Sequence, residues 1–169
     1  MAMLKDVLAE NLDIVFCGTA KGETSARKGF YYAGPGNKFY KILYLTGFTP
    51  RKLEPRDCFE INRYGIGLTD LVHSEFGNDR KISRESYDIE GFITKMKKYQ
   101  PKYIAFNSKK GASFVLGLRG ITKLVNYGLL DITIGKSKVF VLPSTSGSAR
   151  KYWNDKYWFA LKQLIEQAR

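Results

Sequence analysis

An α/β layered fold, with helices beside a short, mainly parallel four-stranded sheet, is predicted by three observations. Four β-branched or apolar runs recur along the chain, apolar residues between them fall at helical spacing, and loop-forming residues close the runs. Residues 13–18 (DIVFCG) are the first strand candidate, ending in a glycine that opens a loop. Residues 37–47 (NKFYKILYLTG) place Phe39, Ile42 and Leu43 at helical spacing and close on Gly47. Residues 64–70 (YGIGLTD) read as a second strand delivering Thr69 and Asp70 at its end, after which Ile89, Phe92, Ile93 and Met96 trace an amphipathic helix stopped by Pro101. Residues 103–107 (YIAFN) and 139–143 (VFVLP) are two further buried strands, and Tyr157, Leu161, Leu164 and Ile165 mark a last helix. In such sheets the ligand crevice lies beyond the C-terminal strand ends. The loops after Gly18, Asp70, Asn107 and Pro143 are therefore expected to form one site.

The 169 residues suit one domain spanning 1–169, since no repeat or linker divides them. No apolar run approaches the length of a membrane span. Cys17 and Cys58 are too few for a disulfide framework or an iron–sulfur cluster, and the acid-bearing start MAMLKDVLAEN lacks the apolar core of a secretory leader. An intracellular place is expected, in the cytoplasm or with the nucleoid or nucleus. Charge is more informative: 28 Lys+Arg against 16 Asp+Glu leave +12, and residues 91–130 carry eight cations and no acid. A single lysine there is an ordinary solvated side chain. The summed excess favours a polyanion, and nucleic acid over a membrane because no basic amphipathic helix with an exposed aromatic face stands out.

The densest signal is residues 18–37, GTAKGETSARKGFYYAGPGN, which follow a strand and hold five glycines and paired tyrosines. Neither a Walker loop nor a dinucleotide fingerprint fits any register of it. Glycine here could serve turn geometry alone, or let backbone N–H groups approach a ligand while a ring stacks on it. Together with residues 143–150 (PSTSGSAR), this stretch resembles the two active-site motifs of the uracil-DNA glycosylase superfamily, and specifically its mismatch-specific uracil/thymine branch with a GTA-type first motif. The likeness runs from FCGTA through YYAGPGNKFY, GFTPRKL, YGIGLTDLV and YQPKYIAFNSK to VLPSTSG.

The resemblance implies a three-layer sandwich around a four-stranded central sheet and an enzyme that acts without metal or cofactor, as a monomer. Such an enzyme flips a deaminated base out of DNA and hydrolyses its N-glycosidic bond to leave an abasic site. The chemistry needs donors on the base carbonyls, a stacking ring, and a group that holds water near C1′. By the family pattern, Gly18, Thr19 and Ala20 face the base edge, Tyr32 stacks on the base, and Asn37 lines the pocket floor. Ser144, Ser146 and Gly147 clamp phosphates, Ser148 occupies the place of the wedge that fills the vacated hole, and Arg150 contacts a phosphate or the orphaned strand. Read without the family, Tyr32 is an ordinary half-buried tyrosine and the serines cap the final helix.

The important departure is Ala20, which stands where the family's first motif holds a water-positioning asparagine. Asp70 is the first candidate to take over, because a carboxylate can orient water and stabilise a sugar cation. The second candidate is Asn37, and an aspartate in Asp70's place could instead cap a helix. His73, three residues on, could neutralise a leaving base or simply be solvated. The expected substrate is uracil, first in a G:U mismatch or in single-stranded DNA, within base-excision repair. The alternative is a weakened enzyme that only binds damaged or abasic DNA.

Overall fold

The computed structural model describes residues 4–78 and 81–169. Among the described residues, five strands form one sheet: β1 (Ile14–Ala20), β2 (Ile66–Val72), β3 (Tyr103–Phe106), β4 (Gly128–Ile134) and β5 (Ser137–Val141), in spatial order β2-β1-β3-β5-β4. β1 pairs in parallel with β2 and with β3, β3 pairs in parallel with β5, and β4 runs antiparallel to β5. The sheet is thus mixed and has five strands where four were expected. The added strand is β4, joined to β5 by the tight turn at Gly135, whose φ of 58° lies in the left-handed region. Its residues are mostly exposed, Leu129 and Ile132 among them. An edge strand with so little burial lacks the apolar run by which a central strand is recognised.

Five helices accompany the sheet among these residues: α1 (Glu23–Lys28), α2 (Phe39–Leu45), α3 (Ile89–Tyr99), α4 (Lys109–Val115) and α5 (Lys156–Gln167), with a 3-10 segment at Pro55–Tyr64. Alternation along β1 decides which helix lies on which face. Ile14 and Phe16 join Phe39 and Leu43 of α2 and Trp158, Leu161 and Ile165 of α5 in one apolar cluster. Val15 and Cys17 point the other way, into a cluster with Phe92 and Met96 of α3 and Ala112 of α4. The sheet is therefore covered by helices on both faces, and its middle strands are dry.

Two boundaries move with consequences for the site. β1 runs on to Ala20, so Gly18, Thr19 and Ala20 are strand residues and not the start of a loop. Tyr64 ends the 3-10 segment, Gly65 turns the chain with φ 76°, and β2 begins at Ile66 and continues to Val72. Asp70 consequently lies inside a strand, paired with Gly18, and caps no helix.

A segment before β1 closes the outer edge of β2. Val7 and Leu68 exchange both backbone hydrogen bonds at 2.9 Å, and Asn62 Nδ2 donates to the Val7 carbonyl. Asp6, beside Val7, accepts from Thr69 Oγ1 at 2.6 Å and from Lys95 Nζ at 2.6 Å.

Candidate active site

Asp70 and Gly18 face each other across the β1–β2 pairing, and that is why position 18 holds no side chain. A Cβ on Gly18 would sit 2.5 Å from Asp70 Oδ1 and 3.5 Å from the Tyr32 hydroxyl. These three residues share one spot on the α2/α5 face of the sheet, next to Phe39.

Asp70 is 6% exposed. Its carboxyl is pushed up to about 7, first by burial and then by the Asp6 charge, while Lys21, Lys95 and the Gly18 backbone oppose the rise. A buried acid balanced near neutrality can accept or release a proton at physiological pH, the property required of a general acid or base. Asp6 reaches this environment from the β2 edge through its bond to Thr69.

Tyr32 carries two kinds of strain. Its φ of 54° is left-handed, which no glycine relieves here. Its hydroxyl is buried facing Asp70 and Asn107 yet lacks a well-formed hydrogen bond. The neighbouring Asn107 amide is oriented by Thr145: Nδ2 donates to Oγ1 at 2.9 Å and Oδ1 accepts the Thr145 N–H at 3.2 Å. Burial, with Asp70 adding to it, holds the Tyr32 phenol in its protonated form. One face of its ring stacks on Phe39, with centroids 3.9 Å apart and planes at 27°. That face is closed to a base, so the expected stacking has only the opposite face available. Removing the orphaned hydroxyl in Tyr32→Phe is expected to raise stability by about 1 kcal/mol. A thermal melt reads this as a midpoint about 2–4 °C higher.

Asn37 does not join this group. Its Oδ1 accepts the Phe39 N–H at 3.0 Å and so secures the first turn of α2. Its loop instead meets the second motif: the Lys38 N–H donates to the Thr145 carbonyl at 2.9 Å, and a Cβ on Gly147 would meet Pro35 O at 3.2 Å. Thr145 is the hinge of the arrangement, tied to β3 through Asn107 and to α2 through Lys38. The serines around it hold their own turn. Ser144 Oγ accepts the Ser146 N–H, and Ser146 Oγ accepts the Ser148 N–H and meets the Ser148 hydroxyl at 2.9 Å. They cap the short 3-10 helix Gly147–Tyr152 rather than α5. Ser148 and Arg150 are exposed on it.

Thr19 and Ala20 leave the pocket by their side chains. Thr19 Cγ2 lies near the Cα of Gly111 in α4, and Ala20 packs with the cluster on that opposite face. Lys95 is no free cation, since it pairs with Asp6, and His73 Nε2 stands 3.3 Å from Lys95 Nζ and 3.8 Å from Asp6 Oδ1. Burial lowers the His73 pKa, so it is neutral at pH 7 and belongs to this edge network rather than to solvent. Lys21, 9% exposed, donates to the His73 carbonyl at 3.3 Å. Sequence reasoning missed Asp6 and Asn107. Asp6 becomes visible only through its bond to Thr69, far along the chain, and Asn107 only through its bonds to the second motif.

Neither of two cavities lies at Asp70. One of about 490 Å³ lies beneath Leu4, Asp6, Phe59 and Asn62, and one of about 190 Å³ lies at the other end of the sheet between Asp13, Phe48 and Lys162. Among the described residues, no helix is long and apolar enough to cross a membrane.

Comparison with known proteins gives a structural neighbour and a family. The solution NMR structure of a candidate uracil DNA glycosylase from Methanosarcina acetivorans is similar at 25% identity and a TM-score of 0.67, with 97% of each chain covered. A family model for the uracil DNA glycosylase superfamily matches residues 5–166, nearly the whole chain. Matched over nearly its whole length, the chain belongs to the uracil DNA glycosylase superfamily.

Proposed function

We propose that this protein is a monofunctional DNA glycosylase that removes uracil, with the G:U mismatch as its first substrate, and feeds abasic sites into base-excision repair as a monomer. Family membership supports the DNA glycosylase role. The observation that carries the catalytic assignment is Asp70, a buried carboxyl balanced near pH 7 beside a side-chain-free Gly18 and an unbonded Tyr32 hydroxyl.

In this reading the ionised Asp70 orients water at C1′ and takes its proton as the water oxygen bonds to carbon. The C1′–N bond breaks with its electron pair leaving on the base, and the sugar retains the hydroxyl. The carboxylate also stabilises positive charge on the sugar as the bond stretches. Asn37, its oxygen bonded to the Phe39 N–H, supports the pocket wall and the second motif, and Asp70 replaces the missing asparagine alone. Ser144, Ser146, Gly147, Ser148 and Arg150 meet the DNA backbone, and Tyr32 stacks on the base.

The test is cleavage of labelled duplexes carrying uracil, thymine, hypoxanthine or xanthine opposite each base, with alkali to reveal abasic sites. Release of uracil that depends on Asp70 is the expected result. The burial of Asp70 beneath Tyr32 favours one second reading, a binder of damaged DNA without turnover, and tight binding with no cleavage of any substrate would establish it. Affinity for a uracil duplex should also fall at least about a hundredfold between 50 and 200 mM salt, as a protein neutralising several phosphates requires. Fluorescence anisotropy over that range checks it.

A further inference from the structure

Beside the second motif lies a set of rings and ammonium groups that the proposed cleavage does not use. Tyr127 precedes β4 directly, and Gly128 of β4 pairs with Val141 at the end of β5, so this tyrosine stands at the same sheet end as Asp70 and Thr145. Its ring centroid is 5.2 Å from that of Tyr157 in the first turn of α5, with the planes at 45°. Tyr152, 59% exposed, ends the 3-10 helix Gly147–Tyr152 five residues before Tyr157, and burial first, then the charges of Tyr152 and Tyr157, push the Tyr127 phenol up. Each ring has a lysine of its own: Lys109 Nζ lies 4.3 Å from the Tyr127 centroid, Lys156 Nζ 5.2 Å from Tyr157 and Lys151 Nζ 5.3 Å from Tyr152. Lys109 begins α4 two residues after Asn107, so the series starts at the clamp that holds the second motif.

We propose that Tyr127, Tyr152 and Tyr157, with Lys109, Lys151 and Lys156, form a stacking track for unpaired nucleotides of a single strand that flanks the target base. The proposal rests on the DNA glycosylase reading for the direction of the strand, but not for its binding.

Three arguments carry it. Duplex bases present only their edges in the grooves, so surface rings, exposed at Tyr152 and half-buried at Tyr127 and Tyr157, can stack only on bases that have left a helix. The 45° tilt gives successive faces that are not coplanar, which suits splayed nucleotides and not the parallel planes of a duplex. Third, the charge is complementary: between Gly147 and Trp158 three cations stand against the single acid Asp155. In the free protein each ammonium shields a ring face from water. A base that takes the face leaves the ammonium for its own phosphate, and ring and cation are both satisfied.

The test uses the whole protein and an undamaged 5′-labelled oligothymidylate of about twelve nucleotides, read by anisotropy, beside uracil cleavage in duplex. Tyr152→Ala touches no core and should weaken oligothymidylate binding about tenfold; adding Lys109→Glu and Lys156→Glu should weaken it at least about a hundredfold. Wild-type tyrosine fluorescence should be quenched on binding, and the quench should diminish in Tyr152→Ala. Unchanged affinity in both variants, at intact thermal midpoint, overturns the track while leaving the cleavage assignment standing. Wild-type binding to an acidic peptide as tight as to the oligonucleotide also overturns it, because charge alone would then explain the patch. If uracil is never released but the oligonucleotide binds and the variants do not, the track holds and the cleavage reading fails.

Discussion

Replacing Asp70 with asparagine is expected to lower uracil release at least about a hundredfold, within the range that loss of a general acid or base produces, and at the same time to make the protein more stable in mild alkali. The second effect follows from proton linkage. The folded Asp70 titrates near 7 against an ordinary value of 3.8. Between those values the folded chain holds a proton that the unfolded chain has lost, so stability falls as pH rises through this window and stays low above it. Three units correspond to a penalty on the order of 4 kcal/mol above pH 7. The neutral amide introduced by Asp70→Asn carries no such penalty. Denaturant unfolding should give a difference of a few kcal/mol between the two proteins at pH 8.5 and little at pH 4. An unchanged difference across pH would mean that Asp70 is solvated in the native state, and its catalytic assignment would lose its physical basis. The cleavage rate of the wild type should rise with pH through about 7, since the ionised form receives the proton.

Trp158→Ala should be among the most destabilising single changes away from the site. Trp158 is fully buried, lies nearly parallel to Phe16 at 5.5 Å, and donates its Nε1–H to the Pro143 carbonyl at 3.2 Å. Truncation removes a large core volume, worth about 3–5 kcal/mol, and leaves a buried carbonyl without its partner at the first residue of the second motif. The midpoint of thermal unfolding should fall by about 10 °C. Trp158→Phe separates the two contributions. It retains most of the ring packing but frees Pro143, and should weaken binding to a uracil duplex more than its smaller loss of stability would suggest. Equal affinity in Trp158→Phe and wild type would show that the indole holds the core and not the motif.

What could be read from the chain before its structure depended on how local each signal was. β1, β2, β3 and β5 announce themselves as short apolar runs because both of their faces are buried. β4 has three successive exposed residues, Asp131 to Thr133, and a shifted register, so only its pairing with β5 defines it. Gly18 and Asp70 are visible as a glycine and an acid in adjacent apolar runs, but their opposition across two parallel strands depends on register. Tyr32 stands out in the sequence through its motif, and the structure sets its hydroxyl beside Asp70 and Gly18. Its stacking on Phe39 was not legible, since the left-handed backbone at position 32 aims the ring in a direction that residue type does not disclose. Asn37 shows the same dependence on structure: its place in the motif suggests chemistry, and only the fold reveals that its oxygen accepts a helix N–H two residues away.

The strap at Leu4–Leu8 has a consequence for behaviour in concentrated solution. β2 is an outermost strand of seven residues, all buried, and rich in β-branched and apolar side chains. Left open, such an edge is a template on which another chain can add a strand. The paired Val7 and the carboxylate of Asp6, locked onto Thr69 and Lys95, occupy that template. The same few residues that bring negative charge toward Asp70 thus also guard the protein against edge-to-edge aggregation, and a substitution that frees the strap would surface first as lost solubility.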